Sequence, residues 1–169
     1  WGGEQFSYVM YSDDHGTTWK RGKSLDMDLS DEAMAVETAD GSVYMNMRSR
    51  REKRMRAFAW SEDGGATWTD LAICEALPDG PQNTDYGCEA GLVRLPIRGL
   101  DILLYSNVDN PSHDSDSGDW YGNTKGENRH HGTVWVSFDG GRTWPLKRLA
   151  HEGAFCYSSL IAGRPGTAS

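Results

Sequence analysis

The stretch SEDGGATW, at residues 61–68, occurs in two further versions along the chain. SDDHGTTW occupies residues 12–19 and SFDGGRTW occupies residues 137–144, so the three octamers share the pattern S-x-D-x-G-x-T-W. In such a pattern the Asp can accept hydrogen bonds from backbone amides, the Gly can adopt a positive φ, and the Thr re-enters an extended strand. The octamer therefore predicts a turn between two β-strands. We interpret its Asp and Trp as turn and packing residues, with each Trp packed on the neighbouring hairpin.

The spacing of the octamers predicts the architecture. Their first residues are 49 and then 76 positions apart, which fits one repeat of roughly 40–50 residues and a second repeat with an insertion. Repeated turns between strands favour β-propeller blades over a helical solenoid. We predict an all-β fold in which residues 1–169 form a partial propeller of about three blades, and in which the polar residues 108–131 form a long insertion loop.

Composition excludes several classes of function. The formal net charge is −8 over 169 residues, which disfavours nucleic acid and anionic membrane surfaces as partners. No apolar run reaches the length of a membrane-spanning helix. We predict no cofactor and no metal, because the Cys and His residues lack the spacing of a zinc site. The three cysteines are too few for a disulfide framework, and we interpret Cys74, Cys88 and Cys156 as small buried hydrophobes.

Short extended segments separated by Gly, Pro, Asn and Asp dominate the chain. Alternation is clearest in VYMNMR, which predicts Val43, Met45 and Met47 on one strand face and Asn46 and Arg48 on the other. The chain therefore reads as a succession of short strands. The predicted strands are 6–11, 33–38, 43–48, 55–60, 91–95, 101–106, 132–137 and 155–161.

Four polar side chains form a chemically coherent set. Arg48 ends an apolar strand, and Glu32 opens a segment that continues as Ala-Met-Ala-Val. Arg129 precedes a predicted strand, and Tyr157 lies between a cysteine and two serines. Two guanidinium groups can bind a substrate carboxylate through paired hydrogen bonds. A Glu within hydrogen-bond distance of a phenol can take its proton, which makes a Tyr usable as a nucleophile.

The segments around these residues resemble those of the sialidase (neuraminidase) family. DEAMAVE at 31–37, followed by DG and by NMRS, resembles the sialidase pattern E-x-x-x-V-E-L-x-D-G-x-(apolar)-N-x-R. LLYSN at 103–107 resembles a second sialidase strand, and GAFCYS at 153–158 resembles G-x-x-x-Y-S. The octamers resemble the Asp boxes of the same superfamily. The resemblance covers nearly the whole chain.

The resemblance implies a six-bladed sialidase-type propeller and assigns roles. Glu32 would be the catalytic base, Tyr157 the nucleophile, and Arg48 and Arg129 two of three carboxylate-binding arginines. The separations, 16 positions from Glu32 to Arg48 and 28 from Arg129 to Tyr157, are those of compact bacterial sialidases. Glu89 stands where relatives often have Gln or Asn, and is a candidate for substrate contact, where it either reads a glycerol hydroxyl or shifts specificity.

Two further roles are not filled by these residues. The resemblance places a general-acid Asp and a first arginine in blades that precede this stretch, so we expect residues 1–169 alone to be inactive. Rivals exist for the assigned roles, and four arginines between residues 50 and 56 are interpreted as solvated charges at strand ends. The rivals are Glu37 for the base, Arg142 and Lys125 for the second arginine, and Tyr105 and Tyr121 for the nucleophile; the arginines set aside are Arg50, Arg51, Arg54 and Arg56.

The implied activity is that of an exo-α-sialidase, which hydrolyses terminal sialic acids with retention. Sialidases are an exception among glycosidases in using a Tyr nucleophile. The implied partners are sialylated glycans or glycolipids, and a secreted or periplasmic location is favoured. Two alternatives remain, a non-catalytic glycan-binding propeller and a trans-sialidase. The Glu–Tyr pair favours an enzyme, since a lectin does not need it.

Overall fold

The computed structural model describes residues 4–50, 55–79, 87–109 and 129–163, and these contain ten β-strands and no helix. The prediction of an all-β chain is confirmed. None of the described residues belongs to a helix that could cross a membrane. The strands are β1 (Met10–Tyr11), β2 (Lys20–Arg21), β3 (Ser30–Glu37), β4 (Val43–Ser49), β5 (Met55–Ser61), β6 (Thr69–Pro78), β7 (Gly91–Arg94), β8 (Leu103–Val108), β9 (His130–Ser137) and β10 (Leu146–Ala154).

Two four-stranded antiparallel sheets account for most of the strands. One has the order β3-β4-β5-β6 and the other β7-β8-β9-β10, so each strand pairs with its neighbours in sequence. β1 and β2 form a separate antiparallel pair. Four-stranded meanders of this kind are the blades of a propeller. Each octamer connects the last two strands of its unit: β1 to β2, β5 to β6, and β9 to β10.

The main core lies between the two blades. Tyr44 and Trp60 of the first blade pack at a ring-centroid distance of 4.9 Å, and Tyr105 and Trp135 of the second at 5.4 Å. Trp144, from the third octamer, joins the same buried cluster. Large aromatic rings bury much apolar surface and prefer such tilted contacts. The interface between the blades is therefore the main apolar contact that fixes their relative positions.

Both faces of β4 are buried. Met45 and Met47 belong to a second apolar cluster, on the opposite face from Tyr44. The predicted alternation along β4 is confirmed, since Asn46 shares the face of Tyr44 and hydrogen-bonds to its hydroxyl at 3.3 Å. Asn46 and Arg48 are nevertheless buried rather than solvated. The polar half of this strand therefore has to find its partners inside the protein.

The three octamers adopt the predicted turn. In each, the Thr backbone N–H and hydroxyl donate to the two oxygens of the Asp carboxylate, at 2.6–2.8 Å. The fixed Gly has a φ between 86° and 98°, and the Ser hydroxyl accepts its N–H at 2.7–2.8 Å. The Asp and Gly roles are confirmed. The residues concerned are Ser12, Asp14, Gly16 and Thr18; Ser61, Asp63, Gly65 and Thr67; and Ser137, Asp139, Gly141 and Thr143.

The prediction that every octamer Trp packs on a neighbouring hairpin is wrong for one of them. Trp144 is buried, and Trp68 packs against the second apolar cluster. Trp19, however, is 60% exposed. Trp144 contacts Tyr44 of the preceding blade, whereas no described strand precedes the hairpin of Trp19.

The strand predictions are wrong at several places. Only Met10–Tyr11 forms a strand within 6–11, and no strand lies within 155–161. β6 and β10 were not predicted. All nine residues of β10 are exposed, so no buried face imposes an alternation of apolar and polar residues on its sequence. Of the predicted insertion loop, residues 110–128 lie outside the described residues. The loop and the single partial domain stay predictions.

Candidate active site

The structure brings Glu32 and Tyr157 into contact. The Tyr157 hydroxyl donates a hydrogen bond to Glu32 Oε1, although the two residues are 125 positions apart. Glu32 comes from β3 of the first blade, and Tyr157 from the irregular segment that follows β10 of the second. Tyr157 is 52% exposed, and Glu32 borders an open groove between residues 4–8 and 30–33. A ligand can therefore reach both side chains from solvent.

The backbone of Glu32 is unusual. Glu32 is the extra residue in a β-bulge, because the pairing of β3 with β4 shifts between Asp31 and Ala33. Its φ is +39°, in a region that non-glycine residues avoid. Such conformations cost roughly 1–3 kcal/mol and persist only when their surroundings impose them. Bulges re-aim side chains, and here the redirected carboxylate contacts Tyr157.

The segment that carries Tyr157 is fixed by its neighbours on both sides. The Phe155 N–H donates to Arg129 O at 2.8 Å, and the Ser158 N–H donates to Glu89 O at 3.3 Å. The Ser158 hydroxyl donates to Ser106 O at 2.9 Å on β8. A Cβ at residue 132 would lie 2.3 Å from the Phe155 ring, so this contact requires Gly132. Tyr157 is thus held without being part of a strand.

Arg48 lies beside the pair. Its Nη1 is 2.7 Å from Glu32 Oε2, and its Nε is 3.5 Å from Asp31 Oδ1. The side chain is 9% exposed, and its Nε makes no hydrogen bond within the described structure. Asp31 also pairs with Arg50 at 2.8 Å. The buried guanidinium of Arg48 therefore lies between two carboxylates, those of Glu32 and Asp31.

Arg129 approaches Tyr157 from the other side. Its Cζ lies 5.8 Å from the centroid of the Tyr157 ring, and its Nη2 donates to Gly87 O at 2.9 Å. Its Nη1 is 3.7 Å from Cys156 Sγ. Glu89 is half-buried and adjoins the Tyr157 segment through its backbone carbonyl. The five residues singled out from the sequence thus belong to one region of the structure.

The pKa values in this region have clear physical causes. Burial, followed by the hydrogen bond and charge of Glu32, raises the pKa of Tyr157 to about 12, while Arg48 and Arg129 act in the opposite direction. Burial lowers the pKa of Arg48, but Glu32 and Asp31 more than offset it, so the net pKa is raised. At neutral pH the phenol is protonated and the guanidinium charged. Such a phenol can lose its proton to Glu32 without first carrying a standing charge.

One functional candidate was misread in the sequence. Arg56 was interpreted as a solvated charge, yet it is 0% exposed. It pairs with Asp79, also buried, at 2.8 Å. The signal was available, since Arg56 is in phase with Phe58 and Trp60 along β5 and so belongs to the face that enters the core. Arg50 is half-buried in its pair with Asp31, while Arg51 and Arg54 lie outside the described residues.

Other expectations can be compared with the structure. Cys88 is buried and Cys74 partly buried, but Cys156 is exposed, because Phe155 and Ser158 anchor its segment instead. Of the rivals, Tyr105 is buried and donates to Pro78 O at 3.1 Å. Arg142 lies over the Trp60 ring, and Glu37 ends β3 on the surface. Lys125 and Tyr121 lie outside the described residues.

The sequence model of one protein family, the BNR repeat-like domain, matches residues 3–168. The chain belongs to this family. It is 32% identical over 163 residues to a sialidase of Micromonospora viridifaciens, covering 94% of this chain and 22% of that protein. The Asp-box octamers and the active-site segments had predicted a member of the sialidase family, and this prediction is confirmed.

Solved structures show the same relationship for this BNR-repeat chain. The Hadza microbial sialidase Hz136 superimposes with a TM-score of 0.64 at 29% identity, covering 89% of this chain and 26% of that one. A leech intramolecular trans-sialidase, complexed with 2,7-anhydro-Neu5Ac, gives 0.62 at 26%, covering 89% and 22%. The fold is therefore that of part of a sialidase propeller. The chain spans about a quarter or less of the length of these relatives.

Proposed function

We propose that these residues carry part of the active site of a retaining exo-α-sialidase. The observation that supports this most directly is the hydrogen bond from Tyr157 to Glu32, made across 125 residues of sequence. Arg48 and Arg129 flank the pair. A purely structural tyrosine would not need a carboxylate acceptor and two neighbouring guanidinium groups at a half-exposed position.

The reaction proceeds in two displacements. Tyr157 Oη attacks the anomeric carbon of the sialic acid, and its proton passes to Glu32 while the glycosidic C–O bond breaks. The leaving oxygen takes a proton from a general acid, an Asp that the family resemblance places upstream of this chain. Water then attacks the same carbon and loses a proton to that Asp, and Tyr157 leaves and regains its own proton from Glu32. Two inversions give net retention.

A phenol suits this substrate because the anomeric carbon already bears a carboxylate. That carboxylate would repel an anionic nucleophile, whereas the protonated Tyr157 approaches the anomeric carbon as a neutral group. Arg48 and Arg129 bind the substrate carboxylate, and Glu89 contacts a more distant polar group of the sugar. The natural substrates would be sialylated glycans or glycolipids. The net charge of −8 makes this local positive charge necessary for an acidic substrate.

A second outcome uses the same site. The leech relative is an intramolecular trans-sialidase, found with 2,7-anhydro-Neu5Ac. In that case a hydroxyl of the sugar itself, rather than water, resolves the intermediate. The product separates the two: hydrolysis releases free sialic acid, and intramolecular transfer releases a compound lighter by one water. Mass spectrometry of the products of a sialoside therefore distinguishes them.

The test of the proposal is covalent labelling of the full-length protein that contains these residues. A fluorinated sialic acid should label the wild type, and Tyr157→Phe should abolish the label with little loss of stability, since the ring is kept. Glu32→Gln should lower kcat by on the order of 10²–10⁴-fold. Tyr11→Phe, on β1, is the matched control and should label normally. Undiminished labelling of the Tyr157 variant would contradict the proposal.

A further inference from the structure

Arg56 makes its side-chain contacts inside the protein. It is 0% exposed on β5, a position where a charged side chain incurs a large desolvation cost. Its Nε donates to Asn46 Oδ1 at 2.7 Å, and its Nη1 donates to Asp79 Oδ1 at 2.8 Å and to Cys88 O at 3.0 Å. Its Nη2 donates to Glu32 O at 3.2 Å. Apolar replacements of a buried ion pair are often at least as stable, so stability alone does not explain these groups.

The bond to Glu32 O acts on the bulge that aims the carboxylate. Glu32 has the left-handed φ of +39° where β3 slips against β4. Glu32 has no partner residue on β4, and its carbonyl accepts a hydrogen bond from the Arg56 guanidinium. A charged donor makes a stronger bond to a carbonyl than a neutral one. Arg56 therefore stabilises the backbone conformation that places the Glu32 side chain against Tyr157.

The same pair reaches the backbone beside the two arginines of the site. Asp79 Oδ2 accepts the Ser49 N–H at 2.6 Å, one residue after Arg48. Arg56 bonds Cys88 O, and the adjacent Gly87 O accepts Arg129. A Cβ on Gly87 would lie 2.7 Å from Asp79 O, so this approach is close. One buried ion pair thus contacts the carbonyl of Glu32, the N–H of the residue after Arg48, and the carbonyl of the residue after Gly87, whose own carbonyl accepts the Arg129 side chain.

We infer that Arg56, neutralised by Asp79, is a positioning residue for the proposed sialidase reaction: it holds the Glu32 bulge so that the carboxylate can take the Tyr157 proton. This inference rests on the proposed function. Arg56 touches no substrate itself. Its removal should therefore lower kcat, because a displacement of about 1 Å at the reacting groups can cost on the order of 10²-fold, while KM stays close to that of the wild type.

The experiment uses two variants of the full-length protein on a fluorogenic sialoside. Arg56→Lys keeps the charge beside Asp79 but cannot donate to four acceptors in fixed directions. Arg56→Met combined with Asp79→Asn removes both charges, keeps an acceptor for the Ser49 N–H, and should fold, as neutral replacements of buried pairs commonly do. Both should lose about 10–100-fold in kcat with KM within about threefold. Full kcat in a folded variant would overturn the inference.

Met45→Ala is the matched control. Met45 is buried in the second apolar cluster, on the face of β4 opposite Asn46 and Arg48, so the variant should lose thermal stability and keep its kcat. If the Arg56 variants, like Met45→Ala, lost thermal stability but kept their kcat, the inference would be wrong. Tyr157→Phe and Glu32→Gln run in parallel separate the two claims. Loss of turnover in these, with full turnover in the Arg56 variants, overturns the positioning role alone; no turnover in the wild type overturns both.

Discussion

The Asp-box turns and the Glu32–Tyr157 pair place carboxylates in opposite situations. In a box, every side-chain hydrogen bond of the Asp joins residues two to four positions apart. At the candidate active site the bond spans 125 positions and joins two blades. The box is therefore specified by eight residues and can be repeated, whereas the site exists only when both blades have packed together.

The chemistry of the two carboxylates differs accordingly. The Thr67 hydroxyl and N–H and the Ser61 hydroxyl lower the pKa of Asp63 to about 2, so it stays ionised and accepts bonds from fixed donors. Glu32 instead accepts a hydrogen bond from the Tyr157 phenol, whose pKa is raised to about 12. A carboxylate surrounded by backbone donors stabilises a turn. One that faces a protonated phenol is placed to receive a proton.

The largest difference should appear when arginines of the two regions are replaced. Arg48→Lys keeps a positive charge but loses the paired donors, and we expect a cost of about 2–4 kcal/mol in transition-state binding. That is roughly a 30- to 1,000-fold fall in kcat/KM. Arg142→Lys, inside the third box and over the Trp60 ring, should leave kcat/KM unchanged. Steady-state kinetics of the full-length variants test this, and equal losses would remove the distinction.

Within the boxes, burial should decide the effect of losing the serine. Ser137 is 0% exposed and accepts the N–H of buried Gly141, so Ser137→Ala strands a buried donor and should cost about 1–3 kcal/mol of unfolding free energy. In the first box Gly16 is exposed, and water can replace the hydroxyl. Ser12→Ala should therefore cost less than about 1 kcal/mol. Urea unfolding measures both, and equal costs would show that burial is not the cause.

The smallest effect should be the pH dependence contributed by one box. The folded pKa of Asp63, about 2, lies below its ordinary value of 3.8. Because the unfolded chain takes up the proton first, stability from Asp63 is fully present above pH 4 and disappears as the pH falls through 2. Melting temperatures of the wild type and Asp63→Asn should differ at pH 5 and converge near pH 2. A constant difference across this range would contradict the assignment.

The sequence was sufficient to predict whatever depends on local bonds. The octamers predicted their own turns, since the Ser, Asp, Gly and Thr that make them lie within eight positions. The alternation along β4 predicted its two faces. Exposed β10 could not be predicted in this way, because all its side chains face solvent and pairing with β9 alone defines it.

The candidate site was only partly predictable. Glu32, Arg48, Arg129 and Tyr157 came from matching segments of a known family, and the structure brings them into one region. The Arg56–Asp79 pair was not predicted, because an Arg at a strand start is usually solvated and the two partners lie 23 positions apart. Only the phase of Arg56 with the apolar side chains of β5 indicated that it is buried.

The left-handed backbone of Glu32 also limits how this position can vary in related sequences. Glycine adopts such a φ without steric cost, whereas other residues resist it. A glycine at this position would relax the bulge and remove the proposed proton acceptor together. We therefore expect a homologue that keeps the boxes but has glycine at this place to lack the proposed proton transfer from the tyrosine.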